Sequence, residues 1–233
     1  MTGWAVVIPV KRWAKAKSRV GGLRSADRRE LAAALAHDVI LTVCATAEVA
    51  RCVVVGPDEV VRELRHRAGY GAVLGVEEEQ GTSADPLNSA LRHGRDAALS
   101  AGHRQIAMIM ADMPALNVSG LTAFLQQIPT TCAAVVRDRN RTGTTILAGR
   151  NGEAVRPAFG PDSANRHIAC GALDLTSSCD PGLRIDVDTW ADLVAAQRFA
   201  GPALRRWFDD RRRRTAPLLL PDMLDAGRAV EPS

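Results

Sequence analysis

The stretch RCVVVGPDEVVRELRHRAGYGAVLGV, residues 51–76, contains a strand, a helix and a second strand in succession. RCVVVG and GAVLGV are short and valine-rich, with apolar residues at consecutive rather than alternate positions. That pattern is typical of strands covered on both faces of a parallel sheet. The segment between them has helical spacing, with Pro57 near its start and Gly69 near its end, as helices prefer. Such a unit predicts an α/β fold.

The same alternation continues on both sides of this unit. WAVVIPV (4–10) precedes it as a β-rich run, and QIAMIMADMP (105–114) follows it as a strand that runs into a sharp turn. Strands and helices in turn predict a Rossmann-like, mostly parallel sheet with helices on both faces. Further strands are predicted at 132–138, 144–149 and 183–189, and helices at 25–43, 85–102, 118–128 and 190–208, with another beginning within 160–172.

The periodic pattern ends at Phe208. A chain of 233 residues is long enough for one sizeable domain. We expect that domain at 1–208, followed by an irregular tail at 209–233. The tail holds the run Arg211–Arg214, which is more typical of a solvated charged end than of a nucleic-acid contact. The net charge of +4 suits a small anionic ligand, and 4% aromatic residues argue against base stacking.

The cysteines and the apolar runs indicate a cytoplasmic protein. The five cysteines are scattered, without a Cys-x-x-Cys pair or metal-ligand spacing, which predicts reduced thiols. Residues 4–10 are too short for a secretory leader, and the positive charges follow them rather than precede them. No run approaches the roughly 20 apolar residues that a membrane span needs.

All three lysines of the chain, Lys11, Lys15 and Lys17, follow the first predicted strand, although 30 residues are Lys or Arg. Lysine is a compact point charge, whereas arginine is a planar fork. In so arginine-biased a chain, three lysines in one loop indicate a site that needs a small ammonium, such as the surroundings of a polyphosphate. The alternative is a solvated basic turn. The loop is neither a Walker motif nor a G-x-G-x-x-G motif.

Acidic residues follow two other strands. Asp112 comes after the apolar run 106–110, and Asp186 and Asp188 follow LRI. Because ligands of open α/β sheets bind at the carboxyl ends of strands, we expect these acids to face the lysine loop. Hard carboxylate oxygens there suit Mg²⁺, which shares its remaining ligands with phosphate and water. Asp186 and Asp188 would point to opposite faces of a strand, so one is expected to bind metal while the other caps the helix near Thr189.

Two glycine-bearing turns, RTGTT (141–145) and FGPDS (159–163), can present backbone amides and hydroxyls to an anion. Any turn has this composition, so each is a weak signal alone. The five histidines show no partner pattern. His37 and His66 are interpreted as structural or surface groups, and His167 lies close to the FGPDS turn.

Taken together, these motifs make the chain resemble a known family, the guanylyltransferases of deazaflavin coenzyme F-420 biosynthesis. That family acts on phosphoenolpyruvate or 2-phospho-L-lactate and belongs to the MobA-like nucleotidyltransferase superfamily. The matching segments run in family order over residues 4 to about 200, and their combination is specific. They are IPVKRWAKAKSRV, LNSALRHG, ADMPAL, RDRNRTGTTIL, FGPDSANRH and IDVDTWADL. The family usually places glycines before LN, where this chain has SADPLN.

The resemblance implies a nucleotide-diphosphosugar-transferase-like domain that uses GTP, Mg²⁺ and a small phosphorylated carboxylic acid. By match to the motifs, the acceptor would be held by Thr145, Gly160 and Ser163, and the metal by Asp112 with Asp186 or Asp188. Lys17, Lys11 and Arg19 would face the GTP phosphates and act in catalysis. Asn88 would lie near the nucleotide. The resemblance also implies a protein partner, the downstream transferase of the same biosynthetic pathway.

Two other functions fit the same residues. One is another nucleotidyltransferase of this fold, acting on a sugar phosphate or molybdopterin, or a glycosyltransferase. The other is a non-catalytic anion-binding module that uses the lysine loop and the arginine run. Acids at separate strand ends argue against binding to nucleic acid, which they repel unless a metal intervenes. The sequence leaves the acceptor open between phosphoenolpyruvate, 2-phospho-L-lactate and 3-phosphoglycerate, and it leaves the oligomeric state open.

Overall fold

The computed structural model describes residues 3–11, 17, 20–68, 73–77 and 84–215, with the backbone alone at 65–68, 73–77 and 215. Lys15, Arg19 and residues 216–233 therefore lie outside the described residues. The strands are β1 (Trp4–Pro9), β2 (Val49–Gly56), β3 (Val73–Glu77), β4 (Gln105–Ile109), β5 (Ala134–Arg137), β6 (Thr144–Gly149) and β7 (Leu173–Asp174). The helices are α1 (Ser25–Ala45), α2 (Asp58–Ala68), α3 (Pro86–Ser100), α4 (Val118–Gln127), α5 (Ser163–Ala169), α6 (Trp190–Ala196) and α7 (Pro202–Thr215).

The described strands form one sheet in the order β3-β2-β1-β4-β6-β5-β7. All pairings are parallel except those of β6, which runs against both of its neighbours, β4 and β5. The prediction of a mostly parallel sheet is therefore confirmed. From β1 the chain moves outward through β2 to β3 and then returns to β4 on the other side of β1. This reversal places a crevice at the carboxyl ends of β1 and β4, where ligands of such sheets bind.

Helices cover both faces of the sheet, as the continuous apolar strands predict. Along β1, Val6 and Ile8 belong to a core cluster that includes α1, α2 and α4, whereas Val7 belongs to a second cluster that includes α3. Alternate side chains of one strand point to opposite faces, so both sides of β1 are buried. Helix α3 approaches the sheet closely at Gly94, where an added Cβ would lie 2.4 Å from Val55 Cγ2.

Helix α7 continues past Phe208 to Thr215, so the prediction of an irregular tail is wrong for 209–215. The carboxylate of Asp38 on α1 accepts hydrogen bonds from the backbone amides of Ala203 and Leu204, both at 2.9 Å, at the start of α7. Near the end of α7, Arg211 and Arg214 contact the buried Asp27 at 3.4 and 3.5 Å. These contacts stabilise a segment whose charged sequence lacks apolar periodicity. Two arginines of the run thus bind α1 rather than extending only into solvent.

The segment LRIDVDT does not form the predicted strand. Pro181–Arg184 is a 3-10 helix, and residues 185–188 continue outside the sheet. Asp180 starts this turn by accepting a hydrogen bond from the Gly182 amide at 2.7 Å. The cap of α6 is Thr189, in a capping box with Asp192, so the prediction that Asp186 or Asp188 caps this helix is wrong. No helix in the described ranges has the length and apolar character to cross a bilayer.

Candidate active site

The carboxyl ends of β1 and β4 are joined by an ion pair. Nζ of Lys17 lies 2.5 Å from Oδ2 of Asp112 and also donates to the backbone carbonyl of Val187. The Lys17 side chain is 9% exposed and that of Asp112 28% exposed. The backbone of Lys17 has a φ of 54°, an uncommon left-handed conformation for a side-chain-bearing residue. The structure therefore brings together the lysine and the acid that the sequence analysis placed at separate strand ends.

A backbone contact brings the second acidic motif to this point. The amide of Val187 donates to the carbonyl of Asp112 at 3.1 Å, and the Val187 side chain is fully buried in a cluster with Leu193 and Leu204. With Val187 fixed in this way, Asp186 and Asp188 flank the contact. Asp188 is exposed, whereas Asp186 is partly buried.

Asp186 has the perturbed environment of a functional carboxylate. Burial, together with the negative charges of Asp112 and Asp188, raises its pKa to about 6. The ionised form of Asp186 is costly by itself, and a cation bound beside it would stabilise that form. Across the described ranges, no three His, Cys, Asp or Glu side chains converge closely enough to hold a metal. Mg²⁺ needs only one or two carboxylates when phosphate and water complete its shell.

Lys11 lies two residues after the end of β1, and its side chain is exposed. Its backbone stretch is fixed because the amide of Val10 donates to the carbonyl of Val55 on β2 at 2.8 Å. A long cationic side chain in solvent can reach an anion without losing a protein partner. The structure thus separates the two described lysines into a buried, paired Lys17 and an exposed Lys11.

The reversed direction of β6 brings the RTGTT turn to the same edge of the sheet. Because β6 is antiparallel to β4, its first residues lie beside the last residues of β4, and the amide of Met110 donates to the carbonyl of Thr145 at 3.2 Å. The FGPDS turn joins them, since the amide of Ala164 donates to the carbonyl of Thr142 at 3.1 Å. The two predicted anion-binding turns are therefore adjacent to each other and to the end of β4.

Adjacent threonines in this turn have different environments. Oγ1 of Thr145 donates to the carbonyl of Leu183 at 2.6 Å, and the residue as a whole is 1% exposed. Oγ1 of Thr144 instead lies 3.1 Å from Oγ of Ser163. Gly160 has a φ of 120°, a conformation that only glycine adopts readily, and it allows the sharp turn before Ser163.

Asn88 connects helix α3 to the FGPDS turn. Its Nδ2 donates to Asp85 at 2.6 Å and to the carbonyl of Phe159 at 2.9 Å, while its Oδ1 accepts from the amide of Phe159 at 2.7 Å. Both amide hydrogens of the side chain are thus engaged. Asp85 also caps α3 by accepting from the amide of Asn88 at 3.3 Å. In this structure the side chain of Asn88 links helix α3 to the FGPDS turn. Its predicted position near a nucleotide stays a prediction.

Sequence reasoning gave no individual role to Thr144 or Asp138 and only a weak one to His167. His167 is 2% exposed, and burial, together with the charge of Arg166, lowers its pKa to about 4. Its Nδ1 lies 3.0 Å from Oγ1 of Thr144. The Asp138 carboxylate accepts from the amide of Thr142 at 3.0 Å and shapes the turn before β6. Only the nearness of His167 to the FGPDS turn was visible in the sequence.

Comparisons with known proteins identify the family and the fold of this chain. Residues 4–194 match the model of a family described as "Guanylyl transferase CofC like". A phosphoenolpyruvate guanylyltransferase of Nocardia farcinica is 41% identical over 212 residues, which cover 88% of this chain and 90% of that protein. One of Streptomyces scabiei is 40% identical over 197 residues, covering 83% and 89%. A putative nucleotide-diphospho-sugar transferase from Desulfovibrio desulfuricans has a similar fold, with a TM-score of 0.58, 13% identity and coverage of 89% and 99%.

Proposed function

Because this chain belongs to the family of CofC-like guanylyl transferases, we propose that it transfers GMP from GTP to phosphoenolpyruvate and releases pyrophosphate. The product would be an intermediate of deazaflavin coenzyme F-420 biosynthesis. The observation that carries the proposal is the contact of Lys17 with Asp112 in the crevice between β1 and β4. A compact ammonium and a carboxylate at this point would meet the triphosphate, because ligands of such sheets bind in this crevice. The names of the relatives support phosphoenolpyruvate as the acceptor.

The reaction needs charge neutralisation more than proton transfer. A phosphate oxygen of the acceptor attacks the α-phosphorus of GTP, a new P–O bond forms, and the bond from the α-phosphorus to the bridging oxygen breaks. The second pKa of a phosphate monoester is about 6, so the attacking group is already anionic near pH 7 and no general base is required. The nearby His167 does not offer a free base, because both of its ring nitrogens have hydrogen-bond partners, the Thr144 hydroxyl and the Ala158 amide. Catalysis would rest on positioning and electrostatics.

The acidic residues have the chemistry to hold Mg²⁺. Asp112 and Asp186 are hard oxygen donors whose like charges oppose each other, and the ammonium of Lys17 already lies between the Asp112 carboxylate and a backbone carbonyl. The position of this ammonium is surrounded by oxygen atoms that already bind a cation, and it would therefore suit Mg²⁺. Asp188 would act from the exposed side through water. When bound, Mg²⁺ would supply charge neutralisation on the phosphates.

Lys17 and Lys11 would bind the triphosphate and draw charge from the leaving pyrophosphate, with Arg19 added to them by the family resemblance. The acceptor would bind at the joined turns, to Ser163 and Gly160, with Thr145 added to them by the family resemblance. Each turn can offer backbone amides and hydroxyls to an anion. The free thiols of all five cysteines support a reducing, cytoplasmic location.

The test is pyrophosphate release by the purified protein with GTP, Mg²⁺ and one acceptor at a time. Phosphoenolpyruvate is expected to be the preferred acceptor over 2-phospho-L-lactate, 3-phosphoglycerate and glucose 1-phosphate. Asp112→Asn is expected to abolish turnover, whereas Asp209→Asn, a change of an exposed residue on α7, is the matched control. Release with a sugar phosphate but none with phosphoenolpyruvate would contradict the proposal. Binding that needs no Mg²⁺ and weakens steeply with salt would favour a non-catalytic anion-binding module.

A further inference from the structure

A line of buried polar side chains extends behind the FGPDS turn. Ser163, Thr144 and His167 are 1%, 7% and 2% exposed. Oγ of Ser163 lies 3.1 Å from Oγ1 of Thr144, which lies 3.0 Å from Nδ1 of His167. The far nitrogen, Nε2, accepts a hydrogen bond from the backbone amide of Ala158 at 2.9 Å. Every step from the backbone to Ser163 is therefore within hydrogen-bond distance.

The amide of Ala158 fixes which nitrogen of His167 carries hydrogen. A backbone N–H can only donate, so Nε2 must be the unprotonated acceptor. The ring is neutral at physiological pH because burial lowers its pKa to about 4. A neutral imidazole with an unprotonated Nε2 has its single hydrogen on Nδ1. Nδ1 consequently donates to Oγ1 of Thr144. The ring of Phe159 packs edge-on against the imidazole, with centroids 5.1 Å apart, and holds its orientation.

This donation decides what the two hydroxyls can do. In the free protein Ser163 donates to Oγ1 of Thr144. If Ser163 instead donates its hydroxyl hydrogen to an anion, its oxygen can still accept a hydrogen bond. The donor is then the hydroxyl of Thr144, across the same 3.1 Å. Thr144 remains satisfied because Nδ1 of His167 occupies one of its lone pairs. Hydrogen bonds that point in one direction along such a chain strengthen one another.

We infer that His167 is a positioning residue for the acceptor, acting through Thr144 so that Ser163 donates its hydroxyl hydrogen to the acceptor's phosphate or carboxylate. This inference rests on the proposed function, since it assumes that Ser163 contacts the acceptor. It also assigns His167 no role as a base. Nδ1 already carries hydrogen, Nε2 is covered by the amide of Ala158, and Ser163 is not in contact with the ring through any hydrogen bond of the described residues. Ser163 is therefore a binding group rather than an activated nucleophile.

Two substitutions of His167 separate the roles of its nitrogens. His167→Asn places an amide near Nδ1 and keeps a donor for Thr144, whereas His167→Gln places an oxygen near Nε2 and keeps an acceptor for the Ala158 amide. We expect His167→Gln to raise the KM for phosphoenolpyruvate roughly tenfold, the effect of one weakened hydrogen bond to a charged group. The KM for GTP should change less than about twofold, and His167→Asn should recover most of the loss.

Thr144→Val keeps the imidazole and removes only the hydroxyl, so it tests the same chain if the histidine variants fold poorly. It should reproduce the KM effect of His167→Gln, and the double variant should be no worse than either single one, because residues of one chain are not additive. Thr144→Ser keeps the hydroxyl and should recover most of the loss seen in Thr144→Val.

Three results would overturn the inference. One is an equal rise of KM in His167→Asn and His167→Gln, which a purely structural role predicts. The second is a Thr144→Val variant with an unchanged KM for phosphoenolpyruvate. The third is a wild-type protein that releases no pyrophosphate from GTP and phosphoenolpyruvate, which contradicts the proposed function and with it the acceptor role of Ser163. An active wild type with either of the first two results contradicts this inference alone.

Discussion

Lys17 neutralises Asp112 across the crevice, with Nζ 2.5 Å from Oδ2 and only 9% of the lysine side chain exposed. The site thus contains its own cation at the carboxyl ends of β1 and β4. A small ammonium fits between the Asp112 carboxylate and the carbonyl of Val187, whereas a guanidinium is a broad planar fork. This geometry gives a physical reason for a lysine in a chain whose other basic residues are nearly all arginines.

The first prediction concerns catalysis by this ammonium. Lys17→Ala should lower kcat/KM roughly 10²-fold or more, as the loss of one preorganised electrostatic donor does. Lys17→Arg should not restore activity, because the guanidinium cannot occupy the same narrow position. Steady-state pyrophosphate release with GTP and phosphoenolpyruvate measures both. Near-normal kinetics in Lys17→Ala would contradict the role of the ammonium in the reaction, and near-normal kinetics in Lys17→Arg would contradict the need for a compact cation.

The second prediction concerns metal binding without nucleotide. Since Lys17 occupies a carboxylate oxygen that a metal would use, a divalent ion must displace it. Lys17→Met should therefore bind Mn²⁺ or Mg²⁺ about tenfold more tightly than the wild type, even though it turns over slowly. Isothermal titration calorimetry without substrates provides the measurement.

The control for metal binding is the double variant with Asp112→Asn, which should lose the gain because the carboxylate is gone. Unchanged or weaker binding in Lys17→Met would place the metal away from Asp112. That result would leave the electrostatic role of Lys17 to be judged by the kinetics alone.

The third prediction concerns Asn88, whose side chain bonds both backbone groups of Phe159. Asn88→Ala should reduce the free energy of unfolding by about 2–4 kcal/mol, because buried backbone groups lose their partners. Urea denaturation followed by far-UV circular dichroism measures this. Asn151→Ala is the control, since Asn151 is exposed and makes no side-chain cap bond. A stable variant with a raised KM for GTP would instead support the nucleotide contact that the family resemblance implies.

Asn88 also illustrates what the sequence could and could not predict. Periodicity gave the strands and helices, and the rule that ligands bind at strand carboxyl ends brought Lys17 and Asp112 to one crevice. Hydrogen-bond partners were not predictable, because Asn88 and Phe159 are 71 residues apart. Their contact depends on how α3 packs, which no local pattern encodes.

Two further features that the sequence did not reveal depend on long-range contacts in the same way. Ile185 and Val187 alternate with acids as in a strand, but the Asp180 cap and the Val187–Asp112 backbone bond hold the segment beside the sheet. Thr144 and Thr145 are adjacent in β6, and their side chains have different environments. The register of the strand decides which of the two faces which side of the sheet. Only the pairing of β6 with β4 and β5 fixes that register.

The fourth prediction concerns acid stability. His167 is buried in its neutral form, and its pKa falls from 6.5 in the unfolded chain to about 4 in the fold. Its contribution to stability is therefore full above pH 6.5 and is lost progressively as the pH falls from 6.5 towards about 4. His167→Gln should flatten this part of the profile, measured as the free energy of unfolding in urea at several pH values. Asp186, whose pKa is raised, acts with the opposite sign over an overlapping range in both proteins, so the difference between the two profiles isolates His167. Parallel profiles for His167→Gln and the wild type would mean that the imidazole can be protonated inside the fold without cost, and the assignment of hydrogen to Nδ1 would fail with it.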